Sequence, residues 1–177
     1  MSVSAQPDAV VSAAERTRLD QLLVDILADL ELDYERPEQG AFLVKLPGEH
    51  KLATMCWLVV QDFSLLVEAF FMRKPDENAE GLYRWLLQRN SKMYGLAFSV
   101  DRLGDVFLVG RQPLSSINQQ EIDRLLGCML RYSDDAFDTA VGLGFASSIR
   151  REWDWRRKRG ESTANLAAFA RFAGPEE

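Results

Sequence analysis

Two consecutive runs, Ala53–Val60 and Leu65–Met72, are apolar on both sides of an extended chain, and this restricts the folds open to the sequence. From Leu52 to Val60 the alternation places Ala53, Met55, Trp57 and Val59 on one side and Leu52, Thr54, Cys56, Leu58 and Val60 on the other. Asp62 separates the runs, and Glu68 is the one charge inside the second. A strand with a wet face alternates apolar and polar residues, and these two do not. Both fall far short of the roughly 20 residues that span a bilayer. They therefore predict a sheet in water with both faces covered. Helices can take one face, and the other is expected to meet the chain's own tail or a second copy of the protein.

The elements around these runs follow in order. Ser12-Ala13-Ala14-Glu15 has the spacing of a capping box, and a helix is predicted from there to about Leu30. Its stripe is Leu19, Leu22, Leu23, Ile26, Leu27 and Leu30. Asp33–Arg36 is expected as a brief strand before Pro37, and Phe42, Val44 and Leu46 as one face of the next. Asp76 or Asn78 should cap a second helix ending near Lys92. Leu82, Trp85, Leu86 and Arg89 share one face of it. Leu96–Val100 and Val106–Val109 form a hairpin, stopped by Gln112-Pro113. Ser116 or Asn118 opens a long helix whose stripe is Ile122, Leu125, Leu126, Met129, Leu130, Phe137 and Val141. The expected class is α+β: an antiparallel sheet of about five strands with segregated helices, in α-β-β-β-α-β-β-α order.

The chain divides by composition. Residues 1–11 read as a disordered leader, 12–147 as the α+β domain, and 148–177 as a basic, Trp-containing tail. Between Arg150 and Arg159, six cations against two carboxylates leave +4, in a chain of net charge −6. The acidic total argues against a dedicated nucleic-acid binder. The tail points the other way: Trp153, Trp155, Arg156, Arg157, Lys158 and Arg159 could hold a single strand or an anionic membrane, or pack on the protein's own body. Gly160-Glu161-Ser162 breaks this run, and Leu166, Phe169 and Phe172 suggest a further short amphipathic turn. No signal peptide is recognised, so a cytoplasmic location is expected.

Catalytic chemistry finds little support. His50 is the sole histidine and reads as a surface turn residue, which leaves a histidine metal site or relay without members. Asp134, Asp135 and Asp138 read as a solvated helix face or as partners for the basic tail. Gly142 and Gly144 fall where the long helix is expected to end, as terminators or for close packing, and not before a helix as a phosphate loop requires. Cys56 and Cys128 lack redox or zinc spacing and are expected as buried reduced thiols. No catalytic pair, metal ligand set or cofactor site is assigned. The partner-binding candidates are Met55 and Trp57 on the strand and the residues of the 150–159 run.

The segment Leu86-Leu87-Gln88-Arg89-Asn90, the strand Leu96–Val100, the return Val106–Val109 and the long helix with Tyr132, Asp134 and Phe137 resemble the YbjN family of bacterial sensory transduction regulators. The resemblance runs from about Leu19 to Ala146. It implies a fold similar to type III secretion chaperones: small, acidic, α+β and commonly dimeric. It also implies a non-enzymatic module, chaperone-like or regulatory, that binds a protein client as a homodimer, with no catalytic residues to transfer. A nucleic-acid- or membrane-associated regulator acting through the basic tail is the alternative.

Overall fold

The computed structural model describes residues 10–164, 169, 170 and 172. Helix α1 spans Ala13–Asp29 and is followed by β1 (Tyr34–Glu38), β2 (Ala41–Pro47), β3 (Ala53–Val60) and β4 (Ser64–Met72). Then come α2 (Ala79–Asn90), β5 (Ala97–Val100), β6 (Val106–Pro113), a 3-10 turn at Leu114–Ser116 and α3 (Gln119–Arg159). The six strands form one antiparallel sheet in the order β1-β2-β3-β4-β6-β5. Strand β6 enters between β4 and β5, with α2 as the crossover.

Strand register sorts the side chains into two faces. Val44, Cys56, Ala69, Leu108 and Phe98 lie in one row across five strands and are all buried. The helices cover this side. Leu19, Leu23 and Leu27 of α1, Leu82 and Leu86 of α2, and Ile122, Leu125 and Met129 of α3 join the strand residues in one core. Each such side chain contributes about 1.5–3 kcal/mol on burial. Within it Thr54 Oγ1 donates to Ser133 Oγ at 2.9 Å.

Local chemistry starts and stops the helices. Ser12 Oγ accepts from the Glu15 amide at 3.1 Å, while the Glu15 carboxylate turns to Arg18 at 2.7 Å. Asn118 Oδ1 accepts from the Glu121 amide at 3.0 Å and opens α3. Gly160 ends α3 in the left-handed region at φ 67°, where a side chain would be strained.

Both sheet edges are closed to further pairing. Edge strand β1 carries Glu35, Arg36, Pro37 and Glu38, and charge and proline are what keep an edge from recruiting strands. At the other edge the Asn90 side chain stands in for a neighbouring strand. Its Oδ1 accepts from the Phe98 amide at 2.8 Å, and its Nδ2 donates to the Phe98 carbonyl at 3.1 Å.

Several sequence expectations are corrected. There are six strands, because β1 is a full member of the sheet and runs through Pro37, which an edge position tolerates. Leu52 lies outside β3 and is 94% exposed. Strand β6 continues through Gln112 to Pro113. Asp76 does not cap α2; it pairs with Arg73 at 2.6 Å, and Asn78 holds the cap position at φ 48° with no side-chain cap bond. Helix α3 does not stop near Gly142 and Gly144 but runs unbroken to Arg159. Both glycines serve packing instead: a Cβ on Gly144 would lie 2.8 Å from Pro75 Cβ, and one on Gly142 would lie 3.1 Å from Phe172. The loop before α2 is stitched onto α3 here, with the Asp76 and Glu77 amides donating to the Gly144 carbonyl at 3.0 and 3.2 Å. The Ser147 amide donates to the Glu77 carboxylate at 2.6 Å. Of the leader, Val10 and Val11 are described, and Val11 donates to the Asp62 carbonyl at 2.9 Å; residues 1–9 and Leu166 lie outside the described residues.

Candidate protein-binding surface

The sheet face turned away from the helices carries apolar side chains that no described element covers. Its central row is Leu43, Trp57, Glu68, Val109 and Ala97. Met55 flanks this row on β3, and Phe70 and Phe107 flank it on β4 and β6; Val59 and Leu66 lie on the other side. Met55 is 39% and Phe70 48% exposed. The Phe70 and Phe107 rings meet edge-on at 5.5 Å. Glu68 sits in the middle of this surface, with Lys45 and Arg111 toward its margins. Monomeric proteins rarely leave a contiguous apolar patch of this kind in water.

A groove opens beside this face where β3 and β4 part company. Their ladder ends at Cys56–Ala69, so Ala53–Met55 and Phe70–Met72 diverge. Lys51 fills the gap: its Nζ donates to the carbonyls of Phe70 at 2.9 Å and Phe71 at 3.1 Å. Burial pushes the Lys51 ammonium down to about 8, since desolvation disfavours its charged form. The groove has a volume of about 600 Å³, with Phe71, Phe137, Val141, Phe145 and Phe169 as its apolar lining.

The acidic trio of α3 is structural. Asp134 accepts from three consecutive backbone amides, Glu49 at 3.2 Å, His50 at 3.0 Å and Lys51 at 2.9 Å. Partial burial works against its charge, but the three amides win and hold the carboxyl below its ordinary range. Asp138 meets His50 Nδ1 at 2.9 Å, and Asp135 faces Arg131 at 3.5 Å. Asp134 and Asp138 thus hold the β2–β3 turn, and Asp135 meets a neighbouring arginine.

The predicted tail residues do not join Met55 and Trp57. They form the last turns of α3, which belongs to the helix layer. Trp153 is half-buried, and Trp155 is 45% exposed with Arg159 over its ring at 4.9 Å. Arg156 pairs with Glu152 at 2.6 Å, Arg157 and Lys158 are exposed, and Arg159 also meets Glu161 at 4.0 Å. Cys56 and Cys128 are free. Burial pushes the Cys56 thiol up to about 12, so it is inert as a nucleophile; Cys128 is half-exposed rather than buried. Among the described residues no group of three or more His, Cys, Asp or Glu could hold a metal ion. No described helix is long and apolar enough to cross a membrane.

Sequence reasoning missed Asp20, Asp134 and Asn90 as organising residues. Asp20 is 4% exposed and takes the Gly40 amide at 2.7 Å together with Arg36, and a lone Asp on the apolar side of α1 was the available signal. For Asn90 the signal was a polar residue closing the apolar face of α2. Its partner eight residues on is a tertiary fact.

Comparison with known proteins agrees with this geometry. Residues 20–141 match the YbjN family, described as "Putative bacterial sensory transduction regulator". An uncharacterized protein of Mycobacterium tuberculosis is 52% identical over 157 residues, 86% of each chain. One from Mycobacterium leprae is 49% identical over 134 residues, 76% of this chain and 73% of its own. Among solved structures, the ExsC-ExsE complex is similar with a TM-score of 0.51 at 18% identity, covering 68% of this chain and 92% of that one. The HopA1-SchA chaperone-effector complex is similar with a TM-score of 0.52 at 13% identity, covering 70% and 95%. The fold is therefore the type III secretion chaperone-like α+β arrangement that the resemblance implied.

Proposed function

Because the chain belongs to the YbjN family, we propose that it is a non-enzymatic protein-binding module, chaperone-like or regulatory, which works in the cytoplasm as a homodimer and holds a protein client. The observation that carries this reading is the uncovered apolar sheet face around Trp57. Water-exposed apolar surface gains about 25 cal/mol per Å² when covered, and a second copy supplies a matching surface. For the client, support comes from the solved structures of similar fold. They are complexes, one of them of a chaperone with its effector. The groove beside Phe70 is the apolar cleft left for a client segment.

Size-exclusion chromatography with light scattering tests the pairing. The native chain should run at twice its 20.1 kDa mass. Trp57→Glu should run as a folded monomer, while Leu103→Lys, at an exposed hairpin turn 74% open to solvent, should remain dimeric. A native monomer that also co-purifies with no protein from its own cells would remove the basis of the reading.

A second reading draws on the exposed cations at the end of α3. Arg157, Lys158 and Arg159 beside Trp155 suit a nucleic-acid or anionic-membrane contact. Salt-dependent binding to a single-stranded oligonucleotide or to anionic vesicles, lost on truncation after Ile149, is its expected signature. Arg159 already covers the Trp155 ring, which weighs against base stacking there.

A further inference from the structure

A half-open cavity of about 430 Å³ lies between the C-terminal half of α2, the loop after it and the middle of α3. Three cations line it, Arg89, Lys92 and Arg131, against one carboxylate, Asp135, with Trp85 and Tyr132 as flat walls. Arg131 has Asp135 at 3.5 Å. Among the described residues no carboxylate pairs with Arg89 or Lys92. The Arg89 guanidinium lies over the Trp85 ring at 5.0 Å, and its Nε is buried without a hydrogen-bond partner.

This arrangement has a chemical bias. A guanidinium resting over an indole is restricted in its rotamers, and its terminal nitrogens offer a fork that suits a tetrahedral oxyanion. Three cations and one carboxylate leave +2 in the lining of a chain of net charge −6. A phosphate monoester carries about −2 near neutral pH, so it offsets that charge where a single carboxylate would not. The volume falls in the range of small-molecule sites, roughly 300–1,000 Å³, which leaves room for a flat group against Tyr132.

We propose that this cavity binds a small phosphate monoester bearing a planar ring, with Arg89 as the fork, Lys92 and Arg131 as flanking charges and Asp135 orienting Arg131. None of these residues lies on the uncovered sheet face, so the site stands apart from the protein-binding reading.

Titration calorimetry of the full chain with AMP at low salt tests it. AMP should bind, and adenosine should not. Lys92→Gln and Arg89→Gln should each weaken AMP by about tenfold or more. Arg84→Gln, on the same helix but paired with Glu80 at 2.6 Å, should leave it unchanged. Lys92 is exposed on a loop, so its variant keeps the test valid even if Arg89→Gln disturbs the fold. Absence of AMP binding by the folded native chain, equal binding of adenosine, tighter binding of citrate, or undiminished affinity in Lys92→Gln would each overturn the proposal.

Discussion

Asn90 carries more of the fold than its size suggests. It supplies one donor and one acceptor to a single residue of an edge strand, as a neighbouring strand would. Asn90→Ala leaves the Phe98 amide and carbonyl without those partners, and a loss of about 1–3 kcal/mol is expected in urea unfolding. Asn90→Asp keeps the acceptor but sets a charged oxygen against the Phe98 carbonyl, so it should not restore the stability lost in the alanine variant. Lys51 sets a pH dependence. Its amine titrates near 8 in the folded protein and at the ordinary 10.5 when unfolded. Between these values the unfolded chain holds the extra proton, so stability rises with pH across that window. Below pH 8 both states are charged, and the burial cost of the ammonium is present in full. Lys51→Met should flatten this rise in thermal melts taken between pH 8 and 10.5, measured against the native chain.

Helix α3 shows how one element serves two purposes. Its first half is the floor of the core, and its second half still buries Ala140, Val141 and Phe145 before ending in exposed cations. Glycine decides how closely other parts of the chain approach it. At Gly144 the loop residue Pro75 leaves no space for a methyl group, so Gly144→Ala should destabilise by about 1–3 kcal/mol through overpacking. Gly127 lies exposed on the same helix, and nothing falls within 4 Å of an added Cβ. There Gly127→Ala should stabilise by about 0.5–1 kcal/mol, because alanine loses less backbone entropy on becoming helical. Opposite signs for two identical substitutions, read in chemical denaturation, separate packing from propensity within a single helix.

At the scale of the whole molecule, the described helices lie on one face of the sheet, and no described element covers the other. If a second copy covers that face, folding and association are linked, and the melting temperature should climb with protein concentration. Trp57→Glu should abolish that climb while preserving the helical circular dichroism signal. The period of the apolar residues determined the α+β class, the stripes of α1 and α3, the hairpin and the surplus apolar side of β3 and β4, because burial demands that pattern locally. The caps at Ser12 and Asn118 were legible for the same reason, since their partners lie three residues away. The membership of β1 in the sheet, the unbroken course of α3 through its glycines, the amides gathered by Asp134 and the pairing of Asn90 with Phe98 were decided only in three dimensions. Each depends on a partner from another element, and spacing along a chain carries no information about which distant backbone will arrive there.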